Sequence, residues 1–84
     1  MWTLNYSEEV KTYFVDNEPY CFPLLVGIEE LKFDPDAMPA EGMTPMDDPD
    51  ELHLYFWLVL EHVVMLRKID EEKSLYIIVV KPLE

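Results

Sequence analysis

Hydrophobic residues are densest in the second half of the chain, where three apolar runs are separated by two polar turns. The runs are residues 55–60, 63–68 and 75–80. They are rich in the aromatic and β-branched residues that favour strands. Glu61-His62 forms the short turn between the first two runs, and residues 69–74 form a longer one. The pattern predicts three consecutive strands.

The first half of the chain predicts one strand followed by two helices. Residues 2–6 alternate in hydrophobicity and end at Ser7, a residue type typical of helix N-caps. Apolar positions three and four residues apart then predict a first helix, which residues 16–19 break. A second apolar stripe predicts a helix with Pro23 near its start. It ends at Asp34, because the residue before a proline avoids helical geometry.

Residues 35–50 are predicted to form a long loop. The segment holds four prolines, one glycine and five acidic residues. Loops of this length are unusual in a compact domain and often functional. Three methionines, Met38, Met43 and Met46, are spaced so that they could cover an apolar surface. The 84 residues are otherwise predicted to form a single domain, 1–84.

The strand predicted at residues 55–60 is apolar on both sides, so the sheet needs cover on two faces. Two short helices can cover only one. Alternation places Leu54, Phe56, Leu58 and Leu60 on one side of the strand. Tyr55, Trp57 and Val59 lie on the other side, the Trp57 side. We expect the leucine-rich side to pack under the helices. The Trp57 side then becomes the predicted partner interface, made of Tyr55, Trp57, Val59 and Val64. The alternative is that the methionine-bearing loop folds back over Trp57.

The charge of the chain limits its partners. Eighteen acidic and six basic residues give a formal net charge of −12, which repels phosphate backbones and disfavours direct nucleic-acid binding. Such a surface suits a soluble protein or a mimic of nucleic acid. A single cysteine, no signal-peptide pattern and no apolar run long enough to cross a bilayer predict a cytoplasmic protein without membrane contact.

Few residues suggest site chemistry. His53 and His62 flank the apolar strand, but no spacing pattern supplies a third metal ligand, so ordinary strand-end histidines are expected. Cys21 has no basic neighbour in sequence and is expected to be a small core residue rather than a nucleophile. We therefore predict no cofactor and no metal site.

Four phrases of the sequence, in order, resemble the RelE/ParE superfamily of bacterial toxins, which includes ribosome-dependent messenger-RNA endonucleases and gyrase poisons. Residues 2–10 are similar to the family's opening strand and first helix, and residues 28–35 to the end of its second helix. Residues 55–68 are similar to its central hairpin, and residues 69–70 to the Ile-Asp that follows. The resemblance implies an α+β fold of order β-α-α-β-β-β, with two N-terminal helices on one face of a mainly antiparallel sheet.

The chain departs from that family where its chemistry lies. Trp57, Val59 and Val64 stand where the toxins tend to carry arginines, Glu61 replaces a hairpin glycine, and the chain ends at Lys81-Pro82-Leu83-Glu84. Because apolar side chains cannot stabilise charge on RNA, no catalytic residue is carried over. The favoured hypothesis is a non-catalytic domain that binds a protein partner or forms a homodimer. The alternatives are an active but divergent toxin, either an mRNA interferase or a gyrase inhibitor, and an acidic nucleic-acid mimic.

Overall fold

A computed structural model describes residues 2–17, 21–33, 38, 41–48 and 51–83. The helices and strands follow the order β1 (Thr3–Tyr6), α1 (Glu8–Asp16), α2 (Phe22–Glu30), a 3₁₀ turn (Leu31–Phe33), β2 (Met43–Asp48), β3 (Glu51–Val59), β4 (His62–Ile69) and β5 (Ser74–Pro82). The predicted α+β class is confirmed, with one strand more than the sequence pattern indicated.

The five strands form one mainly antiparallel sheet in the order β1-β5-β4-β3-β2. The three strands at the C-terminus pair in sequence as antiparallel hairpins. The first strand pairs parallel with the last, from Thr3 beside Ser74 to Tyr6 beside Ile77. Such a parallel pair needs a crossover connection, and the connection that leaves β1 begins with the two helices.

The helices are fixed at their starts and by their buried faces. Ser7 caps α1 as predicted, since its hydroxyl oxygen accepts from the Val10 amide at 3.2 Å. The same hydroxyl donates to the Ile78 carbonyl at 2.9 Å and ties the helix to β5. Phe14 joins Val10 in burying the inner face of α1. The predicted stop of the second helix at Asp34-Pro35 lies outside the described residues.

Part of the predicted loop 35–50 is a strand, β2, which pairs antiparallel with β3. The Leu58 amide donates to the Gly42 carbonyl at 3.0 Å, so Pro45 falls at a position of the ladder that makes no hydrogen bond to β3. The nitrogen of Pro45 therefore faces the free edge of the sheet, and its lack of an N–H costs no hydrogen bond to β3. A proline there also hinders another strand from adding to this edge. Residues 35–37, 39–40 and 49–50 of the segment lie outside the described residues.

The hydrophobic core lies between the two helices and one face of the sheet. Its members from the helices are Val10, Phe14, Cys21, Leu24 and Ile28, and its members from the sheet are Met43, Trp57, Val64, Leu66, Ile77 and Val80. Tyr55 and Val59 are partly buried and pack against the same cluster. The Trp57 side of β3 is thus the side that the helices cover.

The predicted assignment of the two faces of β3 was therefore wrong. Trp57 is only 6% exposed and Val64 is 0% exposed, whereas Leu58 is 48% exposed. Alternation sorts the side chains into two sets but does not say which set meets the helices. The core answers that, because Trp57, Val64 and Val80, which the register aligns on one face, pack in one cluster with residues of both helices. Of the methionines in the alternative prediction, Met43 is buried beside Trp57 as its neighbour in strand β2 of the same sheet, and not as part of a loop folded over it.

Candidate functional site

The face of the sheet that lies opposite the helices is the first candidate interaction surface. We call it the open face. By strand register, and by the lining of the cavity described below for Ile78, its described side chains are Thr3, Asn5, Thr44, Met46, Leu54, Phe56, Leu58, Val63, Met65, Arg67, Ile69, Ser74, Tyr76, Ile78, Val79 and Lys81. Most of these are apolar. Leu58, Met46 and Tyr76 are exposed, while Leu54, nearest the start of β3, is buried.

The open face differs from the rest of the molecule in charge. Among the described side chains of this face none is acidic, and Arg67 and Lys81 are basic. The chain as a whole carries a formal net charge of −12, so this set of side chains differs in charge from the average of the molecule. A mainly apolar set of side chains, with no carboxylate among those that the structure describes, has the character of a contact surface on so acidic a chain.

A cavity of about 160 Å³ opens on this face between β4 and β5. Arg67, Ile69, Tyr76 and Ile78 line it. The register of the two strands shifts nearby, between Met65 and Leu66, and such shifts bend a strand and re-aim its side chains. The lining combines apolar walls with one guanidinium and one phenol, which are groups able to bind an anion or an aromatic ring.

The predicted interface residues do not reach this surface. Trp57 and Val64 are buried, and Tyr55 and Val59 pack against the same core. The indole N–H of Trp57 donates to the Glu41 carbonyl at 3.0 Å, so its polar atom is satisfied inside the monomer.

The turn that supplies this carbonyl depends on a glycine. Gly42, the next residue after Glu41, has φ +81°, and a Cβ there would lie 2.6 Å from the Leu58 carbonyl oxygen. A larger residue at this position would move the turn that satisfies Trp57.

A second cluster of polar side chains joins α1, the start of α2 and the β3–β4 turn. The Tyr13 hydroxyl lies 2.9 Å from Nε2 of His62, and Sγ of Cys21 lies 3.9 Å from the same nitrogen. Nδ1 of His62 is 2.8 Å from the Leu60 carbonyl oxygen. Because a carbonyl only accepts, Nδ1 carries the proton and Nε2 presents its lone pair to both other groups. Cys21 is buried, as predicted, but it does have a basic neighbour.

Burial raises the pKa of Tyr13, and the neighbouring Cys21 adds to this through a hydrogen bond and its charge. A raised pKa keeps the phenol protonated, so the Tyr13 hydroxyl is a donor to His62. No group of three or more His, Cys, Asp or Glu side chains within the described ranges is arranged to hold a metal ion. The side chain of His53 lies outside what the structure describes.

A polar pair that is partly buried links β1 to α2. The Tyr6 hydroxyl donates to a carboxylate oxygen of Glu29 at 2.9 Å. Burial first, and then the hydrogen bond to Glu29 and its negative charge, raise the pKa of Tyr6 well above the ordinary 10.0.

This pair predicts how stability changes at high pH. Above about pH 10 the unfolded chain releases the Tyr6 proton while the folded chain keeps it, so the free energy of unfolding falls as pH rises. The contribution of Tyr6 to this slope stays below the ~1.4 kcal/mol per pH unit of one full proton, because Tyr6 is only half-buried. Urea unfolding at several pH values measures it. The Tyr6→Phe variant should have a smaller slope, with Tyr13 supplying a remainder of the same sign. An unchanged slope in that variant would refute the assignment.

Comparison with known proteins relates the fold to toxin–antitoxin complexes. No protein-family model matches the chain, and no curated protein matches it significantly. One chain of the intact RelBE toxin-antitoxin complex of E. coli superposes with a TM-score of 0.66 at 18% identity, over 100% of this chain and 99% of that one. A chain of the RelBE2 toxin-antitoxin complex of Mycobacterium tuberculosis gives 0.63 at 16% identity, over 96% of each chain.

The likeness extends over the whole chain, so it reflects the complete fold and not one shared motif. In the described residues no helix has the length and apolarity that a membrane crossing requires. The order of elements, the single mixed sheet and the two helices on one face all agree with the resemblance found in the sequence. The protein has a RelE-like fold.

Proposed function

We propose that this protein is a non-catalytic, toxin-like interaction domain that binds a protein partner through the open face. The observation that carries the proposal is the exposure of Leu58, Met46 and Tyr76 on a mainly apolar sheet face that lies opposite both helices. Soluble proteins seldom leave such a face in water unless it meets a partner. Both structural neighbours come from complexes of a toxin with an antitoxin, which supports a protein as the occupant.

The partner is a different chain rather than a second copy. Each copy carries a net charge of −12, and bringing two such charges together opposes association. The free edge of β2 gives no easier route to self-association, because Pro45 removes one of its donors. A partner with an apolar segment and a smaller negative charge would bind with less repulsion.

The lack of catalysis is argued from the open face itself. Trp57, Val59 and Val64 pack in or against the core. The lack of arginines at these three positions therefore carries no information about the exposed surface that RNA would contact. On the open face the described basic side chains are Arg67 and Lys81, amid a majority of apolar ones. Binding a phosphate backbone normally takes several cations, and a −12 chain adds repulsion over longer distances.

A second candidate function is an active but divergent toxin. The observation that favours it is the cavity of about 160 Å³ lined by Arg67 and Tyr76 on the open face. A guanidinium stabilises developing negative charge, and a phenol can stack on a base or transfer a proton. In that case the RNA and the partner would compete for one surface.

A bacterial cell-free translation reaction distinguishes the two functions. We expect normal protein output and unchanged messenger-RNA ends when the purified chain is added in large excess. New messenger cuts would contradict the non-catalytic proposal. The cuts would then have to disappear with Tyr76→Ala, which removes the aromatic ring and its hydroxyl from the cavity, and persist with Val15→Ala, which alters an exposed residue of α1.

A further inference from the structure

The cluster of Tyr13, Cys21 and His62 has the arrangement of a nucleophile beside an oriented base. The imidazole Nε2 of His62 is 3.9 Å from Sγ of Cys21, within the range of a sulfur hydrogen bond. On its other side Nδ1 is held by the Leu60 carbonyl at 2.8 Å. The turn that offers this carbonyl is a tight one, with Leu60 at φ 48° and Glu61 at φ 59°. A thiol, a base and a group that orients the base are the parts that an activated cysteine needs.

We propose that Cys21 is a base-assisted thiol that hydrogen peroxide oxidises to a sulfenic acid. Nε2 of His62 takes the thiol proton as the sulfur attacks one peroxide oxygen. The S–O bond forms while the O–O bond breaks, so that the sulfur is oxidised by two electrons and the peroxide is reduced. The proton then passes from His62 to the leaving hydroxide, and the products are the Cys21 sulfenic acid and water.

The surroundings of the thiol select a very small oxidant. Cys21 is 5% exposed, and a partly open cavity reaches it between Phe14, Phe22 and Leu25. The volume of the cavity is about 10 Å³, which is room for about one water molecule. Hydrogen peroxide is little larger than water, whereas glutathione or an alkyl hydroperoxide would require the aromatic walls to move.

Tyr13 competes with Cys21 for the base. Its hydroxyl is 2.9 Å from Nε2 of His62 and is kept protonated, so it occupies the lone pair that would take the thiol proton. Removing this hydroxyl should free the base, and removing the imidazole should abolish base assistance. The two changes therefore have effects of opposite sign on the rate of thiol oxidation. Loosening of the fold around Cys21 would instead accelerate both variants.

The test is the rate at which hydrogen peroxide generates a dimedone-reactive product on the folded chain, followed by intact-protein mass. Cys21 is the only cysteine, so each dimedone adduct reports on it alone, and methionine oxidation does not interfere. We expect His62→Gln to be slower by about tenfold or more, the lower range for loss of a general base. Tyr13→Phe should be faster than the unaltered chain. Circular dichroism of each variant establishes that it is folded.

Three results would overturn the proposal. One is a lack of dimedone labelling in the native chain under conditions that label the urea-unfolded chain. Another is an unchanged rate in folded His62→Gln. The third is a shift of both variants in the same direction, which would mean that the cluster only controls access to the thiol. None of these results bears on partner binding, because the cluster lies on the helix side of the sheet.

Discussion

Trp57→Ala is expected to lower the free energy of unfolding by about 3–5 kcal/mol, the usual cost of deleting a buried large aromatic side chain. Trp57 lies in the core between the sheet and the helices, next to Val64 and Met43. The change opens a cavity there and leaves the Glu41 carbonyl without its indole donor. Equilibrium unfolding in urea, followed by circular dichroism, measures the loss as a lower midpoint.

The matched control is the next residue, Leu58→Ala, on the other side of the same strand. Leu58 is half-exposed in the monomer, so its truncation removes less buried area and should cost about 1 kcal/mol or less. The two variants thus compare the two faces of one strand at neighbouring positions. A larger loss at Leu58 than at Trp57 would reverse the face assignment and restore the surface predicted from the sequence.

Leu58→Glu is expected to weaken assembly with the partner by at least about 100-fold while leaving the monomer folded. A carboxylate at the centre of an apolar contact must lose its hydration without a compensating charge, which costs a few kcal/mol, and each 1.4 kcal/mol is about tenfold in affinity. In the free monomer the same side chain stays in water. The measurement is quantitative mass spectrometry of the chains that copurify with the tagged protein from its own cells.

The control for this change is Val15→Glu, which adds the same charge to an exposed residue of α1 on the opposite side of the molecule. Val15 is 71% exposed, so a glutamate there is solvated and should leave the copurifying chain in place. Equal losses from both variants would point to a general effect of charge. Equal retention would mean that the open face is not the contact surface.

Most of the fold could be predicted from the sequence because its signals are local. The N-cap at Ser7, the apolar stripes of the helices and the three apolar runs after residue 54 each specify an element within a few residues. β2 was missed because prolines and carboxylates are typical of loops. An edge strand tolerates both, since Pro45 lies where no ladder bond is needed and the neighbouring carboxylates belong to the outermost strand.

The orientation of the sheet could not be predicted in the same way. Two apolar sets alternate along β3, and both are suitable for a core. The set that becomes the core is the one that is aligned with Val64 and Val80 and covered by the helices. Both the alignment and the cover are properties of the folded chain. A large indole can be buried in the core when its N–H has a hydrogen-bond acceptor there. For Trp57 the acceptor is the Glu41 carbonyl, 16 residues away in the sequence.

The Tyr13–Cys21–His62 cluster gave no signal in the sequence for a similar reason. His62 is 41 residues from Cys21 and 49 from Tyr13, and no spacing rule connects a turn, a helix start and a helix interior. The three meet only because α1 and the start of α2 pack over the turn between β3 and β4. Sequence reasoning identified Cys21 as buried but could not supply its basic neighbour.

The most direct test of partner binding is site-specific photo-crosslinking in the protein's own cells. A photoreactive phenylalanine is placed at Leu58, on the open face, or at Val15, on the outer surface of α1. We predict a discrete crosslinked product from position 58 that contains a different protein, no such product from position 15, and loss of the product when Tyr76→Glu is added on the same face. Products from both positions alike, no product from position 58, or a product that contains a second copy of this chain would contradict the account.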